Sequence, residues 1–594
     1  MLDTPKRRRF LLFLVKPSHY DDDGYVIQWM KSALPSNSLA CLYGIAKDAM
    51  ENAALGPEVD IEIFAIDETN TRVRPDKIAR QIREAGGFGL VGFVGVQSNQ
   101  FPRVMDCARP LRAAGIPVCI GGFHVSGCLA MLKETPDSLK EALDLGVSLF
   151  AGEAEGRFAE VLRDAAAGTL KPIYNYLDDL PNLDGATHPI MPRENVKNTI
   201  SMISSFDAGR GCPFLCSFCT IINVQGRKSR YRTADDIEEI VRSNQANGVR
   251  YFFITDDNLA RNRNWEAIFD RLIQLRQEGL NSRFVIQVDT ACHKIPRFIE
   301  KAAAAGVKRV FLGLENIDPD NLIAAKKKQN HIADYREVLL EWRKHRCITY
   351  CGYIIGFPGD TPESVVRRIE IIKRELPLDI LQFSCLTPLP GCEDHAKAVA
   401  AGADIDPDLN KFDLEHVVTD HPRMTRAEWQ ELYHTAFGAY YTDEHMKTVI
   451  RRAAAGGPRV DTVALLLVTF WAASTLYHIY PLEAGLIRRK VRRDRRPTLP
   501  VENPLVFYPK YFWDLLSIHG KAAVKLAKIW WFMRGVLKDP NAKSYTDEAL
   551  RTSDDYDHQE MYQLSDAARQ AAEKARRLEE RKHAQAAARV EAAE

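Results

Sequence analysis

The chain has 594 residues, 46% of them hydrophobic and 27% charged, enough to bury more than one core, and about three or four domains are expected. A net charge of +1 gives no reason to expect a nucleic-acid partner, and twelve cysteines in so long a chain are too sparse for a disulfide scaffold.

The N-terminal stretch KRRR followed by FLLFLV mimics a signal peptide, but Lys16 and Pro17 end the apolar run after six residues. We read a buried strand with a basic lead-in. Apolar runs then alternate with helical stretches: Phe10 to Val15, Val59 to Ile66, Leu90 to Val96, Ile116 to Ile120 and Val147 to Phe150. This alternation predicts a doubly wound, Rossmann-like α/β domain over residues 1–170, with helices on both faces of a parallel sheet. Ligands bind such sheets beyond the carboxyl ends of the strands. Those ends carry Ser98 and Asn99, the Gly121-Gly122-Phe123-His124 turn, and Gly152-Glu153-Ala154-Glu155. Glycines there admit a flat or phosphate-bearing cofactor, or simply close a loop. Residues 171–200 contain Pro172, Pro181, Pro189 and Pro192 and read as an ordered connector.

A strand over Ile203 to Ala208 then runs into RGCPFLCSFC, which sets Cys212, Cys216 and Cys219 at C-x3-C-x2-C spacing. One tight loop of this kind aims three soft thiolates at one point, which suits an iron-sulfur cluster or another thiophilic metal. A 4Fe-4S cube held at three corners leaves one iron open, much as catalytic zinc sites keep an open position. A zinc loop or buried structural cysteines are the alternatives. A thiolate-bound cluster favours a reducing compartment, hence the cytoplasm.

Further strands are expected at Tyr251 to Thr255, Phe284 to Val288, Arg309 to Leu314, Tyr350 to Ile355 and Leu378 to Leu386. With the strand before the cysteines they make about six β-α units, a partial (β/α)6 barrel within residues 201–425. Ligand contacts belong at the strand ends, where Asp256, Asp257, Asn258, Glu315, Gly356 and Pro358 fall. Asn258 also suits a helix cap, and Gly356 with Pro358 a plain turn. Arg232 either meets a ligand carboxylate or leads a helix as an exposed side chain.

Residues 426–545 read as a helical region. Val463 to Leu482 carries no Asp, Glu, Lys or Arg and precedes RRKVRRDRR (Arg488 to Arg496), which fits a membrane segment, a buried helix or an interfacial hairpin. Farther on, Lys521, Lys525 and Lys528 share a helical face, while Leu526, Ile529, Trp530, Phe532, Met533 and Leu537 supply apolar surface. That helix suits an anionic membrane surface or packs on the barrel. In the polar tail within 546–594, Leu578 and Val590 are the sizeable apolar residues of 565–594, so a solvated helix or disorder is expected there.

Phe218 fills an aromatic slot before the last cysteine, and FFITDDN (Phe252 to Asn258), VFLGLEN (Val310 to Asn316), YIIGFPGDTPE (Tyr353 to Glu363) and LTPLPGC (Leu386 to Cys392) follow in order. On these motifs residues 200–395 resemble the radical S-adenosylmethionine (SAM) enzymes. The resemblance implies that Cys212, Cys216 and Cys219 hold a 4Fe-4S cluster whose open iron chelates SAM. It implies that Asp256 and Asp257 face the SAM amino group, that Glu315 contacts the ribose or the amino-acid part of SAM, that Arg232 pairs with the SAM carboxylate, and that Gly356 and Pro358 shape the adenine wall.

The preceding half, with IGGFHVSG and LFAGEAEGRF, is similar to the cobalamin-binding domain of cobalamin-dependent radical SAM enzymes. That resemblance implies a cobalamin site at Ser98, Gly121, Gly122, Gly152 and Glu153. The D-x-H-x-x-G loop that ligates cobalt in many cobalamin proteins is replaced by KPSHYDDDGY. His19 there reads as a loop histidine with a local hydrogen bond or as a cobalt ligand, and Asp21, Asp22 and Asp23 as a solvated charge run.

The implied activity is C-methylation of a lipid-like or other small molecule, with an electron donor such as flavodoxin or ferredoxin and peripheral attachment to the inner membrane face. Alternatives are a cobalamin-containing radical cyclase or rearrangement enzyme, a tRNA methylthiotransferase, and a non-enzymatic metal-bound membrane adaptor. The methylthiotransferase needs three further cluster cysteines, and Cys41, Cys107, Cys119 and Cys128 form no such pattern.

Overall fold

The apolar run behind the basic lead-in forms strand β1 (Arg8–Lys16) of a computed structural model that describes residues 7–551 and 559–591. The chain divides into two compact units. The first holds the described residues up to 286 together with 387–419 and 479–519; the second holds 287–386, 420–478 and the described residues from 520 onward.

In the first unit β1 is followed by β2 (Gln28–Ser32), β3 (Val59–Asp67), β4 (Gly89–Phe93), β5 (Val118–Gly121), β6 (Ser148–Ala151) and β7 (Ile173–Asn175). All but β2 form a parallel sheet in the order β3-β1-β4-β5-β6-β7. The residues of β1 fit its place inside the sheet, between β3 and β4. Leu11, Phe13 and Val15 enter one core and Phe10, Leu12 and Leu14 the other, so the strand is apolar on both faces. Strand order reverses at β1 and β4, which creates a switch-point crevice above their carboxyl ends. The connector contributes β7, an extra edge strand whose three residues were too few to read from sequence.

Next come β8 (Ile203–Phe206) and two-residue strands β9 (Gly209–Arg210) and β10 (Arg230–Tyr231), which pair antiparallel and bracket the cysteine loop. Strand β11 (Tyr251–Ile254) lies parallel to β8 and to β12 (Arg283–Val288). In the second unit β13 (Val307–Glu315), β14 (Ile348–Ile355) and β15 (Ile380–Cys385) are parallel. All six strands expected of the partial barrel are therefore present.

The apolar segment after residue 460 is a helix, Val460–Ala472, ending in a π-turn at Ala473–Tyr477. It is long and apolar enough to cross a membrane by length and composition alone. Val463, Leu467, Val468 and Phe470 are nevertheless buried, and the Phe470 ring lies 5.7 Å from Tyr350 of β14. One face of the helix thus packs into the second unit, while Leu465 on it is exposed. The basic run that follows is engaged within the first unit. β16 (Gly485–Arg489) pairs with β2, and Arg488 and Lys490 reach Asp21 and Asp23 at 2.9 Å. Asp21 and Asp23 are thus partners for this run, whereas exposed Asp22 meets His416 at 3.2 Å.

The tail forms a helix over Asp566–Glu591, with Ala568 and Ala572 buried; the side chains of Leu578 and Val590 lie outside the described residues. Just before it, the backbone N–H groups of Glu560 and Met561 donate to the fully buried carboxylate of Glu375.

Gly356 ends β14 with φ of +110°, where a Cβ would stand 1.8 Å from Cζ2 of Trp429. Asp360 accepts hydrogen bonds from the Gly356 and Phe357 N–H groups and is itself paired with Arg368. Gly356→Ala therefore combines backbone strain with overpacking and should cost about 2–5 kcal/mol, read from the urea midpoint.

In the first unit His124 is buried, with Nδ1 3.1 Å from Ser98 Oγ and Nε2 3.3 Å from Ser138 Oγ. Burial, aided by His395, pushes its pKa down to about 3 from 6.5. The unfolded chain therefore takes up this proton first as pH falls, so stability contributed by neutral His124 is full above 6.5 and declines toward pH 3. His124→Gln should flatten the pH dependence of the melting temperature across that window.

Candidate functional site

The cysteine loop is built on a backbone that only glycine tolerates. Gly211 has φ of +87°, and a Cβ there would lie 2.5 Å from the Lys228 carbonyl oxygen; a Cβ on Gly209 would lie 2.7 Å from that of Arg230. Two successive carboxylates from the end of β11 fasten this entry. Asp256 accepts from Ala208 N and Gly209 N at 2.7 and 2.8 Å and from Asn262 Nδ2 at 2.9 Å, while Asp257 accepts from Gly211 N at 3.1 Å. Burial pushes both carboxyls up to about 7. Asn258 precedes the short turn Leu259–Arg261 and makes no side-chain cap bond to it.

Cys212, Cys216 and Cys219 are thiols outside any disulfide, Cys216 buried and the others half-buried, as is Phe218 between them. Cys219 N donates to Cys216 O at 3.2 Å, which closes the turn carrying the last two. Burial pushes the Cys219 thiol up to about 12, with Cys216 and Asp257 adding to it, so it needs a cationic centre to become a thiolate at neutral pH. Among the described residues no three His, Cys, Asp or Glu side chains gather where a single metal ion could sit. Ligands of a cluster attach to different irons and need not converge on one point. Three thiols on one glycine-bent loop are a donor set of the kind that holds an iron-sulfur cluster.

Directly before the loop lies a charge centre that sequence reading missed. Arg210, buried, pairs with Glu153 at 2.6 Å, Glu155 at 2.7 Å and Asp207 at 3.1 Å, and its Nη2 lies 3.7 Å from Cys41 Sγ. Burial opposes the charge on Asp207, but Arg210 and Arg232 outweigh it and hold its pKa near 2. Arg232 is not the exposed helix-leading side chain expected. It is fully buried, donates to the carbonyls of Asp207 and Ala186 at 3.0 Å, and lies 3.4 Å from the Asp207 carboxylate. Glu153, expected to touch cofactor, is bound by both Arg210 and Arg230.

Arg210 and Glu153 also line a cleft at the carboxyl ends of β4, β5 and β6, together with Gly95, Gly121, Gly122 and Gly152. The structure brings four of the five residues expected at cobalamin to this wall. The exception is Ser98, whose hydroxyl meets His124. Gly122 and Gly152 are also required by the chain itself, since a Cβ would lie 2.1 Å from Val96 N and 2.9 Å from the Tyr176 carbonyl carbon. A second, polar cavity is lined by Lys16, His19, Gln97 and Glu483. His19 Nε2 meets Glu483 at 2.5 Å, a partner 464 residues away and not in its own loop. Burial opposes the imidazolium, but Glu483 outweighs it and raises the His19 pKa.

In the second unit Glu315 ends β13 at φ of +62°, a rare conformation for a non-glycine residue, and is ion-paired with Lys327. Gly356 ends the neighbouring β14 beside Trp429, followed by Pro358 in the turn.

Residues 207–372 match the model of the Radical SAM superfamily. Bacteriochlorophyllide d C-12(1)-methyltransferase of Chlorobaculum tepidum is 26% identical over 298 residues, 49% of this chain and 60% of that one. Hopanoid C-2 methylase of Rhodopseudomonas palustris is 26% identical over 341 residues, 55% of this chain and 62% of that one. The chain thus spans about three fifths of the length of these two curated relatives. Among solved structures, radical SAM methyltransferase TsrM from Kitasatospora setae with cobalamin and a 4Fe-4S cluster bound shares the fold, with a TM-score of 0.50, 15% identity, and coverage of 73% of this chain and 88% of that one. The chain therefore carries a radical SAM domain, whose cofactors are a 4Fe-4S cluster and SAM, and has homologues among C-methylating enzymes.

Proposed function

We propose that the protein is a cobalamin-dependent radical SAM C-methyltransferase acting on a lipid-like small molecule. The observation that carries this reading is the adjacency, within one unit, of the cysteine loop and the cleft above the N-terminal sheet, joined by Arg210. Residues 1–170 form the cobalamin-binding half in this reading and 201–425 the radical half.

Cys212, Cys216 and Cys219 would hold the cluster, and the cleft wall of Gly121, Gly122 and Gly152 would hold cobalamin. With these groups bound, the cluster supplies the electron that cleaves SAM to a 5'-deoxyadenosyl radical, and cobalamin carries the methyl group. The protein's own part is positional. Asp256 and Asp257 fix the backbone of Gly209 and Gly211 and so the direction in which the loop presents its thiols. Arg210 with Glu153 and Glu155 forms the cleft wall beside the loop, and Leu14, Leu90 and Phe158 give it an apolar lining. Asp256 and Asp257 already serve the backbone, so any contact they make with the SAM amino group comes from carboxylate capacity left over.

The named relatives are methylating enzymes of bacteriochlorophyllide d and of hopanoids, and support a small-molecule substrate here. The reading includes a flavodoxin- or ferredoxin-type electron donor and a cytoplasmic enzyme attached to the membrane surface.

The test is anaerobic purification with cobalamin, reconstitution with iron and sulfide, and assay of SAM cleavage to 5'-deoxyadenosine under reductant. Four irons, retained corrinoid and cleavage are expected; cleavage without corrinoid affinity would leave a cobalamin-free radical enzyme. Cys216→Ala should abolish cleavage and lower the iron content. Arg210→Met, which takes the cation from buried Glu155 and one of two from Glu153 and Asp207, should lower stability by about 3–5 kcal/mol by urea unfolding and weaken corrinoid retention.

A further inference from the structure

Pro504–Lys538 is a single helix of 35 residues, about 50 Å long at 1.5 Å per residue. It starts well before the basic stretch singled out in the sequence. Phe507, Ile529 and Met533 are buried, and Lys525 turns inward to pair with Asp443 and lies 4.6 Å from the Trp471 ring. At about 100° per residue these side chains occupy a narrow inner arc.

The opposite side is apolar and exposed along the whole helix. Leu505, Trp513, Leu516 and Trp531 are 84, 69, 69 and 77% exposed, and Phe512 and Val524 continue the row. All fall within an arc of roughly 120°. Lys510, Lys521 and Lys528, all exposed, border one edge of that arc, and exposed Arg534 and Lys538 close its C-terminal end. Asp514 is the helix's sole acidic residue. A continuous apolar face of this size is uncommon on a soluble surface and marks a binding site.

The rim decides the partner. Cations bordering a row of tryptophan and leucine match the headgroup boundary of an anionic bilayer, where the rings sit at the interface and the ammonium groups meet phosphates. We propose that this face lies flat on an anionic phospholipid bilayer, with the helix axis parallel to the membrane plane. The proposal rests on the peripheral attachment and lipid-like substrate proposed above and assigns them a surface.

The experiment is sedimentation of the full-length protein with vesicles of phosphatidylcholine alone or mixed with phosphatidylglycerol, alongside SAM cleavage measured in vesicle-free solution. Binding to the mixed vesicles, a blue shift of tryptophan emission and release by salt are expected. Trp513→Glu/Trp531→Glu should lower the partition constant at least tenfold. Lys521→Gln/Lys528→Gln should lower it ~25-fold, from roughly fivefold per cation. Both variants should keep the wild-type circular dichroism and cleavage rate. Equal partition of wild type and variants, or a concentration-dependent dimer dissolved by Trp531→Glu with no vesicle binding, would overturn the proposal. Cleavage without lipid binding sinks the surface assignment alone; lipid binding without cleavage sinks the enzymatic reading alone.

Discussion

A buried guanidinium balanced by three carboxylates holds the first unit's chemistry in place. Arg210 draws Glu153 and Glu155, from the loop after β6, and Asp207, from the end of β8, to one point beside the cysteine loop. Burying one such charge is costly; burying it with three counter-charges and geometrically satisfied hydrogen bonds makes the position of each group depend on all the others. The cleft wall and the entry to the thiol loop therefore share a single rigid element. Asp256 and Asp257 continue the same logic on the other side of the loop, where each carboxylate is occupied by main-chain N–H groups.

The strands were legible because each is a local apolar run, and a run apolar on both faces, such as Phe10 to Val15, belongs in the middle of a covered parallel sheet. The cysteine motif was legible for the same reason, since all its ligands fall within eight residues. What sequence did not disclose are pairings across long separations. Nothing local to Glu153 says that it will meet Arg210, and nothing near His19 points to Glu483. Arg232 illustrates this: of its two sequence readings, a ligand contact or an exposed helix-leading side chain, the exposed one fails because Asp207 and two carbonyls make full burial tolerable. The charge runs at Asp21 to Asp23 and Arg488 to Arg496 looked solvated or membrane-facing separately because their complementarity appears only in three dimensions.

In the second unit the same division of labour recurs at smaller scale. Gly356 is fixed by Trp429 and Asp360, and Glu315 by Lys327, so two strand ends adopt backbone angles that ordinary residues avoid. Strain of this kind is kept where surrounding contacts over-determine it, and strand ends of a β/α barrel are where ligands approach.

The pairing of β2 with β16 has a consequence for biosynthesis. Ser32 opposes Gly485, so the first unit's small two-stranded sheet cannot close until the more than 450 residues between them have left the ribosome. At about 5–20 residues per second that delay amounts to roughly 20–90 s, during which the strand at Gln28 to Ser32 waits with its edge unprotected. A nascent chain with this layout has reason to engage holding chaperones early.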